Sequence, residues 1–214
     1  MQPQHEARRG HQVAIAAKRI VEATRRTTYQ HGIIVDPTTG TYVTDCSGFV
    51  SLVLEGVAPV HYGAIPRKLD HAYPRAFEFL DYLASQSTEA PLGWRRIECF
   101  GEVAEGDIVA WRRERIHDDQ DSGHVLIVAE VPRPVAADVW AVRVYDASDV
   151  RHFDDSRESE GVFKSGVGSG TILVHVNARA KPIGFQFGPA DSVHELAIAV
   201  GRLEPLTYAE RAAE

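Results

Sequence analysis

The residues Asp45-Cys46-Ser47-Gly48-Phe49-Val50 put a thiol directly ahead of a strongly apolar run. From Cys46 to Leu54 that run, CSGFVSLVL, reads as a short buried helix, with a buried strand as its competitor. If it is a helix, the polar Thr44-Asp45 pair places Cys46 at or beside its N-terminus. Unpaired backbone amides and the positive end of the helix dipole would there stabilise a thiolate. Gly48 would leave room for a substrate backbone. A buried structural cysteine is the other common fate of such a residue. The hexapeptide alone does not separate the two.

A cysteine nucleophile needs a base, and the base needs a group to orient it. The chain has ten histidines, so position has to select among them. His124 opens the apolar strand-like run Gly123-His124-Val125-Leu126-Ile127-Val128, where a ring can emerge at the end of a sheet. The next such run, Val139 to Asp146, ends in an acid. A hairpin closed by the loop Pro132 to Asp138 would set His124 directly opposite Asp146, with Cβ atoms ~5 Å apart on one face. Cys46, His124 and Asp146 are therefore the candidate nucleophile, base and orienting acid. A solvent-facing histidine and a strand-terminating acid are the competing readings.

The elements that must position these three follow a simple order. After a frayed start over residues 1–10, His11 to Arg26 reads as an amphipathic helix, and Pro74 to Ser85 as another with Pro74 in its first turn. A loop around Asp36-Pro37-Thr38-Thr39-Gly40 precedes the cysteine. From residue 96 onward the texture changes to short runs rich in Val and Ile: Arg96–Phe100, Asp107–Trp111, His124–Val131, Val139–Asp146, Thr171–Val176 and His194–Leu203. Helices first and strands afterwards predict an α+β domain, with N-terminal helices packed on a central antiparallel sheet. A single domain over 11–205 with a tail at 206–214 is expected. Insertions are expected near 59–95 and 148–170, the latter a charged, then glycine-rich surface excursion that borders or covers the site.

Composition removes several function classes. The formal net charge is −7, from 23 basic and 30 acidic residues, which argues against a grip on nucleic acid or anionic lipid. Two cysteines, Cys46 and Cys99, are too few for a disulfide framework or a four-cysteine zinc site. No metal or organic cofactor is implied. No stretch approaches the ~20 apolar residues of a membrane span, and no signal peptide is visible. Cytoplasmic residence is the expectation, with leaderless export as the other route. Oligomeric state is not legible.

The ordered blocks Asp45-Cys46-Ser47-Gly48-Phe49-Val50, Gly106-Asp107-Ile108-Val109-Ala110-Trp111 and Gly123-His124-Val125 resemble the signature of the NlpC family, papain-like cysteine peptidases that cut cell-wall peptides. The resemblance spans about Thr28 to Ser148. It implies a papain-like fold, a Cys46-His124-Asp146 triad acting through a thioester acyl-enzyme, and a small peptide substrate such as a γ-D-glutamyl-diamino acid peptide. In that family an upstream tyrosine stands near the reacting centre. Tyr29, within Thr28-Tyr29-Gln30-His31-Gly32, resembles it, and Tyr42 is its rival. Asp45 and Ser47 would inherit a role in binding the substrate's free amine. An acyltransferase using the same acyl-enzyme, or a catalytically silent peptide- or protein-binding member, are the alternatives.

Four further features have bland readings. His117 to Asp121 is an acidic loop ahead of His124 whose charge could favour amine-bearing substrates. Gly166-Val167-Gly168-Ser169-Gly170 lacks the Gly-Lys-Ser/Thr ending of a phosphate loop and leads into a strand. Cys99 is expected in the core. Trp111 either lines the cleft or packs at a strand end.

Overall fold

A computed structural model describes residues 3–67, 71–113 and 122–206, with side chains from residue 9 onward. Helix α1 spans Pro3–Ala23, and strands β1 (Arg26–Tyr29), β2 (Ile33–Asp36) and β3 (Thr41–Thr44) follow. Next come α2 (Cys46–Val57), α3 (Pro59–Gly63), α4 (Ala76–Ser85) and β4 (Trp94–Ile97). The remaining strands are β5 (Ile108–Arg112), β6 (Gly123–Val128), β7 (Arg133–Ala136), β8 (Val139–Ser148), β9 (Glu158–Ser159), β10 (Val162–Phe163), β11 (Gly166–Val176), β12 (Pro182–Gln186), β13 (His194–Glu195) and β14 (Ile198–Leu203). The chain is thus mixed α+β, built on a large sheet in which every pairing is antiparallel.

That sheet runs in the order β13-β12-β11-β8-β6-β5-β14-β4, with β7 added beside β8. Strands β13 and β14 lie near its opposite ends, yet only Leu196 and Ala197 separate them in sequence. So short a link cannot cross an open sheet, so the sheet must curl until its ends meet. Its inner face is filled by Val109, Trp111, Leu126, Val144, Ile172, Phe185 and Val200. The outer face carries Ile108, Ala110, Val125 and Ile127 against the helices. Helix α2 is apolar on nearly all sides, with Phe49, Val50, Val53 and Leu54 almost wholly buried, because α1, α3 and the sheet enclose it. The buried Asp107 after the turn at Gly106 takes both Nε and Nη2 of Arg202, at 2.8 and 2.7 Å, tying β14 to β5.

Several expectations are corrected. Helix α1 begins at Pro3 and ends at Ala23, where residues 1–10 were expected to be frayed. The segment read as a loop before the cysteine holds a three-stranded sheet, with β3 parallel to β1 and antiparallel to β2. Pro74 lies outside α4, whose N-cap is Arg75. The expected single strand His194–Leu203 is two, because the chain there steps from one end of the curled sheet to the other. Strand β12, holding Pro182 and Gly184, was not expected. Leu206, assigned to the tail, is buried in the core. Helix α4, in the segment expected to be an insertion, packs on β4, β5, β6 and β14. The acidic loop His117–Asp121 lies outside the described residues.

The β6–β8 register also differs from the simple hairpin. Ile127 faces Tyr145 and Val128 faces Val144, which puts His124 in line with Ser148 instead of Asp146. Strand β7 meets β8 four positions out of the simple-hairpin register, with Arg133 facing Ala141 instead of Ala137, and the chain at Glu130–Pro132 takes back two of the four. Between Arg133↔Ala141 and the hydrogen bond from Ala129 N–H to Arg143 C=O, one strand takes four steps and the other two. An offset of two keeps both side chains on one face.

Candidate active site

Cys46 is the first residue of α2, and Asp45 is its N-cap. The Asp45 Oδ1 accepts the Gly48 N–H at 2.7 Å, and its main-chain oxygen accepts the Phe49 N–H. The Asp45 Oδ2 accepts from His31 Nδ1 at 2.9 Å and from the Tyr73 hydroxyl at 3.0 Å. Burial and the neighbouring Asp45 carboxylate push the Tyr73 phenol up, so it stays a donor. Both oxygens of Asp45 are thus engaged by the protein itself. The space at Gly48 is also taken, since a Cβ there would come 2.2 Å from Thr44 Oγ1. Gly48 serves the close packing of α2 on Thr44, Ile33 and Tyr73, not the approach of a substrate as expected from the sequence.

His124 is the second residue of β6, after Gly123 at a φ of 147°. Its Nε2 lies 2.8 Å from Asp146 Oδ2. A carboxylate can only accept, so Nε2 carries the proton and donates it. The Cys46 sulfur is close enough for its charge to act on the ring, whose Nδ1 is the nitrogen not bonded to Asp146. Burial alone would lower the His124 pKa. Negative charge on Cys46, together with the bond to Asp146, overrides that and pushes it up to about 10. The geometry joins imidazole and carboxylate by a hydrogen bond and sets the thiol beside the ring.

Asp146 is fully buried and has partners that the sequence did not suggest. His152 Nε2 donates to the same Oδ2 at 2.8 Å, and Arg157 Nη1 donates to Oδ1 at 3.1 Å. Burial would raise its pKa, but His152, Arg157 and the His124 bond hold the carboxyl well below the usual range. Arg157 is held in turn by Asp155, with Nε on Oδ1 at 2.8 Å and Nη2 on Oδ2 at 2.9 Å. The 148–170 excursion therefore folds inward. It lies along β11 through the Phe153–Thr171 bridge and the bond from Ser156 N–H to Ser169 C=O. The glycine run makes this possible. A Cβ on Gly168 would sit 2.5 Å from Arg157 Cγ, and one on Gly170 would sit 2.4 Å from His152 Cβ. Alternating glycines opposite a strand-terminal acid were the only sequence signal of this network.

The other candidates divide. Ser47 is buried beside Cys46, its Oγ 3.8 Å from Sγ. Tyr29 lines both the small depression at Cys46 and a larger pocket on the far side of His124. Tyr42 is buried in the core and lines neither, so it does not compete with Tyr29. Trp111 is both packed and cleft-lining, stacked on Phe185 at 4.0 Å and 5.2 Å from the His124 ring. Cys99 lies just past β4 and is half-buried, so the expected core position is corrected. Among the described residues no group of three or more His, Cys, Asp or Glu side chains is placed to hold a metal. No described helix is long and apolar enough to cross a membrane.

Comparison with known proteins adds little. The chain is 25% identical over 184 residues to an uncharacterized protein of Acanthamoeba polyphaga mimivirus, covering 76% of this chain and 78% of that one. No family profile and no solved structure matches it.

Proposed function

We propose that the chain is a cysteine peptidase or amidase of the papain-like NlpC type, hydrolysing an amide in a small peptide. The observation that carries this reading is the His124–Asp146 hydrogen bond with the Cys46 thiol beside the ring, the thiol at the start of α2 and the base and acid on the curled sheet. The Cys46 thiolate attacks the substrate carbonyl carbon, a C–S bond forms, and the π electrons move to oxygen. The Cys46 backbone N–H, at the open end of α2, meets that oxyanion, with Tyr29 alongside. Collapse breaks the C–N bond as the leaving nitrogen takes the proton from His124. Water then attacks the thioester, His124 removes its proton, and the thiolate leaves. Asp146 holds the ring so that Nδ1 faces sulfur throughout.

A second reading, acyl transfer, uses the same acyl-enzyme with an amine in place of water. The deep burial of Cys46, at 3% exposure, favours it by limiting water access. Incubation with cell-wall peptide fragments and γ-glutamyl peptides, with and without added amines, separates these by mass spectrometry. Free acids identify the hydrolase and amides of the added amine the transferase. Loss of both in Cys46→Ala is expected. Retained turnover in that variant, or binding without turnover in the native protein, contradicts the mechanism.

A further inference from the structure

The pocket beyond His124 has walls unlike those around Cys46. Its volume is about 410 Å³, within the range of small-molecule sites. The lining includes Trp111, Phe185, Phe187 and Leu196, with His124 at its inner edge. Phe187 stands edge-on to His124 with ring centroids 5.2 Å apart, and it stacks on His152 at 5.1 Å. Phe185 and Phe187 meet at 5.0 Å. The same residues that hold the triad therefore fix the pocket wall. The exposed Arg113 and Asp149 are the charged members of its lining. The depression at Cys46, by contrast, is small and polar, bordered by His31, Asp45, Ser47 and Arg75.

Chemistry says which half of a substrate enters each. The leaving nitrogen must sit beside His124 to receive its proton, so the amine half of the amide projects past that ring. Resting on the cysteine-hydrolase reading above, we propose that the aromatic pocket is the amine-side subsite, and that it selects substrates whose leaving amine carries an aromatic or branched apolar side chain. A diamino acid in that place would lie against the rings of Trp111, Phe185 and Phe187, with the exposed Asp149 as the one carboxylate among the described lining residues to pair its charged end. This is the part of the reading that moves away from cell-wall peptides. The walls come from β12, the segment after it and the residues before β14, which gives the C-terminal region a function.

The test uses peptides sharing one acyl part and differing in the amine-side residue: Phe, Trp, Leu, Ala and Lys. Binding of phenylalaninamide, alaninamide and lysinamide to the Cys46→Ala protein is measured in parallel by calorimetry. Burying one ring in such a pocket should raise kcat/KM for Phe and Trp over Ala and Lys roughly 10- to 100-fold. Phe187→Ala should collapse that ratio, and Leu196→Asp, which puts a charge at the wall, should do the same. Cleavage without aromatic preference, or with Lys preferred, overturns the subsite and leaves the hydrolase reading standing. Phenylalaninamide binding that depends on Phe187, with no peptide cleaved, keeps the subsite as a binding site and sinks the hydrolase. Neither binding nor cleavage sinks both.

Discussion

His124 and His152 donate to the same carboxylate oxygen, each with Nε2 2.8 Å from Asp146 Oδ2. One ring stands beside the thiol and the other is sealed under Phe187, so the proposed base and a buried positioning histidine share one anchor. His152 is a positioning residue in this arrangement. It acts on the chemistry only through the charge and placement of Asp146.

Replacing His152 by Ala removes a fully buried ring and one donor from Asp146. A loss of about 2–4 kcal/mol in unfolding free energy is expected by urea denaturation. A merely structural role would stop there. Here the acid limb of the rate of Cys46 alkylation should also move to higher pH, because the largest influence lowering the Asp146 pKa is gone.

Asp146→Asn keeps the shape but leaves Arg157 and His152 facing a neutral amide. Breaking a buried ion pair in this way costs roughly 3–5 kcal/mol. Turnover should fall on the order of 100-fold or more, since the His124 ring loses the acceptor that fixes its tautomer. Steady-state kinetics beside a denaturation curve measure both.

Gly168→Ala and Gly170→Ala each drive a methyl into a side chain of the network, Arg157 and His152 respectively. Each should destabilise by about 1–3 kcal/mol and depress turnover, although neither residue lies at the thiol. Gly56→Ala, on α2 where a Cβ meets nothing within 4 Å, should leave stability unchanged or raise it slightly.

The pH dependence of stability has two sides. His124 has a folded-state pKa near 10, above its ordinary 6.5, so its protonated form stabilises the fold. That contribution is complete below about 6.5 and is lost as pH rises through about 10. Asp146 is depressed, so its contribution is present above its ordinary 3.8 and is lost as pH falls through its lower folded value. Denaturation midpoints should therefore decline from pH 7 to 10. In Cys46→Ala the alkaline decline should shrink, because the largest influence raising His124 is removed.

Much of this site could be read from the sequence, for identifiable reasons. An acid capping an apolar run located α2 and its thiol, and a histidine opening one strand with an acid near the end of the next located the base and its partner. The pairing survived a wrong register because the net offset of β6 against β8 is even, and an even offset keeps side chains on their face. His152 and Arg157 were hidden by composition. A charged segment reads as surface, and only the missing side chains at Gly168 and Gly170 let it bury His152 and Arg157. The four-residue strands before Cys46 were hidden by their brevity and mixed polarity. The curl of the sheet, which brings Phe185 onto Trp111, depends on long-range pairing that no local pattern encodes.

The most direct test of the central claim is competitive alkylation of the two thiols by iodoacetamide near pH 7, followed by peptide mass spectrometry. Cys99 is half-buried and Cys46 is only 3% exposed, so access alone predicts that Cys99 reacts first. The Cys46–His124–Asp146 chain predicts the opposite order, with Cys46 modified at least about 10-fold faster and that advantage lost in Asp146→Asn. Equal rates, or Cys99 modified first, would contradict it.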